Sequence, residues 1–121
     1  YTEDAIRKAL GNNSYMSKLF RFPGGSNGGY YDEAKQNSKA LLHENGIMHL
    51  DWNSLSSDAA GAKTKEALLQ NVKDTIGEKD SVVILMHDSS DKILTYEMLS
   101  DLISYLKEKG YKFENIYDLL D

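Results

Sequence analysis

Apolar positions along this chain follow two alternating rhythms. Short runs of apolar residues are followed by longer stretches in which apolar residues recur every three or four positions. Thr2 is placed to cap a first short helix, with Glu3 and Asp4 in its opening turn and Gly11-Asn12-Asn13 near its end. Lys18–Phe22 predicts a strand, which Pro23 stops because proline cannot donate to a sheet ladder. A glycine-rich loop, Gly24–Gly29, carries Ser26 and Asn27. Tyr31–Asn45 predicts a helix with Ala34, Leu41 and Leu42 on one face and Gly46 as its stop signal.

Ile47–Asp51 reads as another short strand, and Asn53–Gly61 as a polar loop. Lys63–Ile76 predicts a helix whose Ala67, Leu68, Val72 and Ile76 are spaced to cover a sheet. Gly77 ends it. Ser81–Met86 holds the apolar run Val82–Met86, the composition of a strand buried on both faces. The last long helix is expected over Leu94–Lys109, with Met98, Leu99, Leu102, Ile103 and Leu106 as its apolar stripe and Gly110 as its stop. Tyr111–Phe113 reads as a final short strand. Strands alternating with helices imply right-handed crossovers and a parallel α/β sheet.

The 121 residues suffice for one modest domain. A net charge of −5 with dispersed acids leaves no basic face for nucleic acid. No apolar run is long enough to span a bilayer. Without cysteine, neither a disulfide nor a thiolate zinc site can form. The chain opens at Tyr1, inside what reads as a helix, so it is expected to be part of something longer or to have had a signal segment removed.

Chemistry concentrates where strands end. Arg21 to Gly25, Asp51-Trp52 and His87-Asp88 each close a predicted strand, and in a parallel sheet such ends share one rim. Residue by residue, ordinary roles remain open. Arg21 could pair with any carboxylate at a strand end, and Leu85 and Trp52 could be core packing. Asp88 reads as a turn cap with no catalytic role. His43 and His49 do not combine with His87 and Asp88 into a compact ligand set.

Arg21-Phe22-Pro23-Gly24-Gly25-Ser26-Asn27, Asp51-Trp52-Asn53 and Leu85-Met86-His87-Asp88 together resemble three successive motifs of the polysaccharide deacetylases. This is the NodB-homology group, carbohydrate esterase family 4. The resemblance spans residues 1–121. It implies the C-terminal part of a distorted (β/α) barrel, with parallel strands alternating with helices. The sequence forms are most similar to the peptidoglycan N-acetylglucosamine deacetylase branch. The implied reaction is metal-dependent removal of acetyl from an N-acetylated sugar polymer. The family's base and metal-ligand motifs, Thr-Phe-Asp-Asp-Gly and His-Ser/Thr-x-x-His, do not occur in these 121 residues.

The resemblance assigns roles to the residues that match. His87 would be the general acid that protonates the leaving amine. Asp51 would hydrogen-bond His87, and Arg21 would hold a base carboxylate contributed from outside this chain. The N–H of Gly24, just after Pro23, would stabilise the oxyanion formed when a metal-bound water attacks. Many family members carry an aromatic residue where this chain has Gly24. Pro23, Trp52 and Leu85 would line the substrate pocket. The divalent metal, zinc foremost, would be held by residues outside this chain.

Such a chain would act at the cell surface or outside the cell on a glycan polymer. An open half-barrel leaves strand edges uncovered, so a second copy or the remainder of the domain is the expected partner. Two other readings compete. One is a carbohydrate-binding or catalytically dead relative that keeps the fold. The other is an unrelated open α/β domain of the flavodoxin or response-regulator type. It ranks last, because Arg21-Phe22-Pro23 stands where an acidic or phosphate-binding cluster would be needed.

Overall fold

The structure, a computed structural model, describes residues 1–119. The chain divides into two units, Tyr1–Asp51 and Trp52–Asp121. In each, one helix crosses over between two short parallel strands.

The first unit begins with α1, Thr2–Leu10. Tyr1, not Thr2, holds the N-cap position, and no side chain caps the helix. Its polarity instead suits the helix dipole, with Glu3 and Asp4 in the first turn and Arg7 and Lys8 in the last. Gly11, at φ 62, returns its N–H to the last carbonyls. The Glu3 carboxylate accepts the Ser17 N–H at 3.3 Å, and Arg7 Nε donates to the Tyr15 carbonyl at 2.7 Å. These two bonds tie the connection that follows back onto the helix.

Strand β1, Leu19–Phe20, pairs in parallel with β2, Met48–His49, in the register Leu19↔Met48 and Phe20↔His49. Both are shorter than expected, although bonds from Met48 N–H to Lys18 O and Leu50 N–H to Phe20 O extend the ladder. The crossover helix α2 spans Asp32–Glu44. The unit's interior is aromatic. Phe22, 6% exposed, packs edge-on to Phe20 and to His49, with ring centroids 4.9 and 6.1 Å away.

In the second unit, β3 (Ser54–Leu55) pairs in parallel with β4 (Ile84–Leu85), Ser54 opposite Ile84 and Leu55 opposite Leu85. The stretch Asn53–Gly61 is therefore more than the expected loop. Its strand is built on polar residues whose needs are met locally. The Asn53 side chain accepts the Val83 N–H at 2.8 Å and donates to the Ser81 carbonyl at 2.9 Å. Ser54 and Ser56 alternate inward and are fully buried. The Ser54 and Thr75 hydroxyls lie 2.8 Å apart, and Asn71 Nδ2 donates to the Ser56 carbonyl at 3.0 Å.

Helix α3, Lys65–Ile76, is capped by Thr64, whose hydroxyl accepts the Ala67 N–H at 3.2 Å. Helix α4 spans Ile93–Glu108. The core is the seam between these helices, with Leu68, Val72 and Ile76 facing Met98, Leu102 and Leu106. Ala67, Leu99 and Ile103, expected in it, are exposed. The buried stripe of α4 runs through Thr95, Met98, Leu102 and Leu106, one helical step from the face that would include Leu99 and Ile103. Tyr111–Phe113 forms no strand; Tyr111 packs against the core and a 3₁₀ turn follows at Ile116–Leu119.

Candidate active site

In the first unit, the motif from Arg21 turns sharply where the Gly25 N–H bonds back to the Phe22 carbonyl at 3.0 Å. Arg21, Pro23 and Gly24 are exposed around this turn. Arg21 makes no ion pair and the Gly24 N–H has no acceptor among the described residues. Gly24 has φ +70, while a Cβ built there would meet nothing within 4 Å. Backbone conformation, not lack of room, therefore favours glycine at this position.

The loop beyond the turn is fastened by Asp51. Its carboxylate accepts the Ser26 N–H at 3.0 Å and the Ser26 hydroxyl at 2.6 Å, and Ser26 is 1% exposed. The Ser26 hydroxyl is the main reason the Asp51 carboxyl sits below its ordinary 3.8. Partial burial opposes that shift, while the Ser26 N–H, His49 and Lys39 add to it. A carboxyl lowered on folding stabilises the fold above its unfolded value, and that contribution is lost as pH falls through the lowered one. Asp51→Asn, which keeps one acceptor oxygen for Ser26, is expected to cost about 0.5–1.5 kcal/mol at neutral pH. The gap to wild type should narrow below about pH 4 in urea titrations, and a gap independent of pH would contradict this role.

In the second unit, His87 follows β4 and its side chain is 38% exposed. The partner of its Nδ1 is Asp58, not Asp51, at 2.8 Å. Asp58 also accepts the His87 backbone N–H at 2.7 Å and the Thr95 hydroxyl at 3.0 Å. Its side chain is 3% exposed, and that burial pushes its carboxyl upward more than any other single influence. The His87 ring, the His87 N–H and Thr95 together outweigh burial and hold it below 3.8. Asp58 is therefore an ionised acceptor, which fixes the imidazole with its proton on Nδ1 and leaves Nε2 for proton transfer.

Asp58 enters from the residues after β3, His87 from the end of β4, and Thr95 from the first turn of α4. Sequence reasoning missed Asp58, Thr95 and the role of Ser26. One signal was available: Thr95 is a polar residue on the same helical face as Met98, Leu102 and Leu106, where an unpaired hydroxyl would be costly. The expected pairing of Asp51 with His87 is corrected, since Asp58 takes Nδ1 and Ser26 occupies the Asp51 carboxylate.

Trp52 and Leu85 are both half-buried, Leu85 within β4. A cleft of about 210 Å³ lies against Asp58 and Thr95, lined also by Leu94, Asp91 and Lys92. The Asp91 carboxyl there is pulled down to about 2, by the Ser89 hydroxyl first and then by Lys92. Among the described residues, no three His, Asp or Glu side chains gather closely enough to hold a metal ion. These residues by themselves do not fit the metal that the sequence resemblance implies.

A parallel α/β chain with a carboxylate-anchored histidine after a strand defines a class of site suited to proton transfer. Solved structures identify the relatives. The chain resembles a Streptococcus mutans CE4 esterase at 28% identity and TM-score 0.76, over 93% of its own length and 48% of that chain. It resembles the catalytic domain of a peptidoglycan N-acetylglucosamine deacetylase from Eubacterium rectale at 26% identity and TM-score 0.75, over 93% and 51%. A CE4 family pseudoenzyme from Bacillus anthracis matches at 30% identity and TM-score 0.71, over 99% and 37%. The chain thus spans about half or less of the length of these structures. It resembles the C-terminal portion of a carbohydrate esterase family 4 polysaccharide deacetylase domain. No family profile and no curated protein matches it.

Proposed function

We propose that this chain carries the general-acid part of a deacetylase acting on an N-acetylated sugar polymer of the peptidoglycan type. The observation that carries the reading is His87, locked through Nδ1 by a buried, ionised Asp58, with Nε2 unbonded among the described residues. Nε2–H of the protonated ring would pass its proton to the departing amine nitrogen as the amide C–N bond breaks. Asp58 would stabilise the imidazolium without itself taking the proton.

In the first unit, the Gly24 N–H, without an acceptor among the described residues, would donate to the oxyanion of the tetrahedral intermediate. Arg21, exposed and unpaired among the described residues, would orient a base carboxylate contributed from outside this chain. Pro23, Trp52 and Leu85 would line the groove. Asp51 becomes a positioning residue that fixes the Gly24–Tyr30 loop through Ser26. The divalent metal, zinc foremost, would be held by the remainder of the domain, so this chain alone would be inactive. A polymer substrate of this kind places the protein at the cell surface or outside the cell. Among the described residues no helix is long and apolar enough to cross a membrane.

A second reading has a specific observation behind it. The Bacillus anthracis neighbour is a pseudoenzyme, and a mutant of it with restored enzymatic activity matches this chain at 31% identity. The same fold thus serves active and inactive proteins. Acetate release from an N-acetylglucosamine oligomer by the intact protein, with zinc or other divalent ions supplied, separates the two. Release that chelation abolishes is the expected result. No release with any ion would leave the inactive relative as the better reading.

A further inference from the structure

The loop that follows the candidate oxyanion turn ends in two exposed aromatic rings. Tyr30 is 95% exposed and Tyr31 67% exposed, and their rings meet at 88° with centroids 4.9 Å apart. This is an edge-to-face pair in which one ring braces the other and leaves an aromatic face open to solvent.

The support beneath the pair is stiff. Three bonds from Ser26 to Asp51 fasten the start of the loop. Asp32 accepts the Gly28 N–H at 2.5 Å, and Lys35 Nζ donates to the Gly28 carbonyl at 3.3 Å. Lys39 Nζ reaches Asn27 at 2.7 Å, and the Asp32 N–H closes a turn on the Gly29 carbonyl at 3.2 Å. Every one of these partners lies in the first unit. Tyrosine rings on such a base offer contact area with little ordering cost on binding. Charged partners are spent on the loop's own backbone and side chains, which suits a neutral, hydroxyl-rich ligand better than an ion.

We propose that Tyr30, braced by Tyr31, is a stacking subsite for a pyranose ring of the glycan, away from the acetamide that reacts. The inference rests on the deacetylase reading, because the loop is continuous with Pro23 and Gly24. Tyr30 lies six positions after Gly24, so the two are at most about 20 Å apart. An oligomer of several sugars is long enough to cover any separation within that limit. The sugar's C–H face lies on the ring, and its hydroxyls remain in water or bond the tyrosine hydroxyls.

The test is the dissociation constant of N-acetylglucosamine pentamer and dimer for the intact protein, by calorimetry. Tyr30→Ala should weaken pentamer binding about three- to tenfold, and Tyr30→Phe should restore most of it, since stacking needs the ring alone. Tyr31→Ala should give a smaller loss. Wild-type pentamer binding that Tyr30→Ala leaves unchanged would overturn the subsite while sparing the deacetylase reading. No binding of either oligomer, together with no acetate release, would overturn both. A loss in Tyr30→Ala that Tyr30→Phe does not repair would replace stacking with a hydroxyl contact and overturn the proposal as stated.

Discussion

Asp58→Asn should lower acetate release by the intact protein about 10²- to 10⁴-fold, close to the loss expected for His87→Ala. The asparagine keeps the shape of Asp58 but not its charge, and it can no longer dictate which ring nitrogen bears the proton. The Nδ1 contact at 2.8 Å and the Thr95 bond at 3.0 Å would then compete for one neutral acceptor oxygen. Nitrogen NMR of His87 should show the tautomer balance shifting away from Nδ1–H. The stability cost, read by urea unfolding, should be about 1.5–3 kcal/mol, because one ionised acceptor serves three donors. Asp51→Asn should be milder for turnover, since that carboxylate holds a loop. If Asp51→Asn instead proves as damaging as His87→Ala while Asp58→Asn keeps near-normal turnover, the assignment of the two aspartates is reversed.

Met98→Ala should be among the most destabilising single substitutions in the second unit, at about 2–5 kcal/mol. Met98 is 0% exposed and lies in the seam formed by Leu68, Val72 and Ile76 with Leu102 and Leu106. It also lies one helical turn beyond Thr95, so a shift of α4 into the void would disturb the hydroxyl that Asp58 accepts. Leu99→Ala, one residue later and 37% exposed, should cost well under half as much. Equal losses for the two, measured by urea unfolding, would mean that the buried face of α4 has been wrongly assigned.

Much of the architecture could be read from spacing. The four helical stretches and the parallel sense of the strands follow from alternating rhythms and glycine stops, and each helix appears within a few residues of its expected bounds. The strands were harder. A strand of two residues leaves too few positions for a period to register, and β3 hides inside Asn53–Gly61 because its buried residues are serines. Tyr111–Phe113 had strand-like composition, but the ring of Tyr111 is used to pack the helical seam. Leu99 and Ile103 share helical spacing with the true stripe, and only the position of the neighbouring helix decides which face is buried.

The candidate chemistry divides along similar lines. His87 stands out because it ends an apolar run abruptly. Its partner does not, because Asp58 is one polar residue among several and gains its role only when β3 pairs with β4. Asp51 attracted the role by standing at a strand end, a position that Ser26 turns to a different use. Local pattern reveals which residues sit at strand ends, whereas pairing across long separations decides which of them meet.

The seating of β3 against α3 carries a lesson for redesign. Ser54 and Ser56 are both 0% exposed, with Thr75 and Asn71 of the helix bonded to that strand. A larger side chain at either position would have to displace these bonded neighbours. A mutational library that diversifies these two serines would return mainly misfolded clones. Variation is better tolerated at Tyr30 and Tyr31, whose exposed rings meet each other.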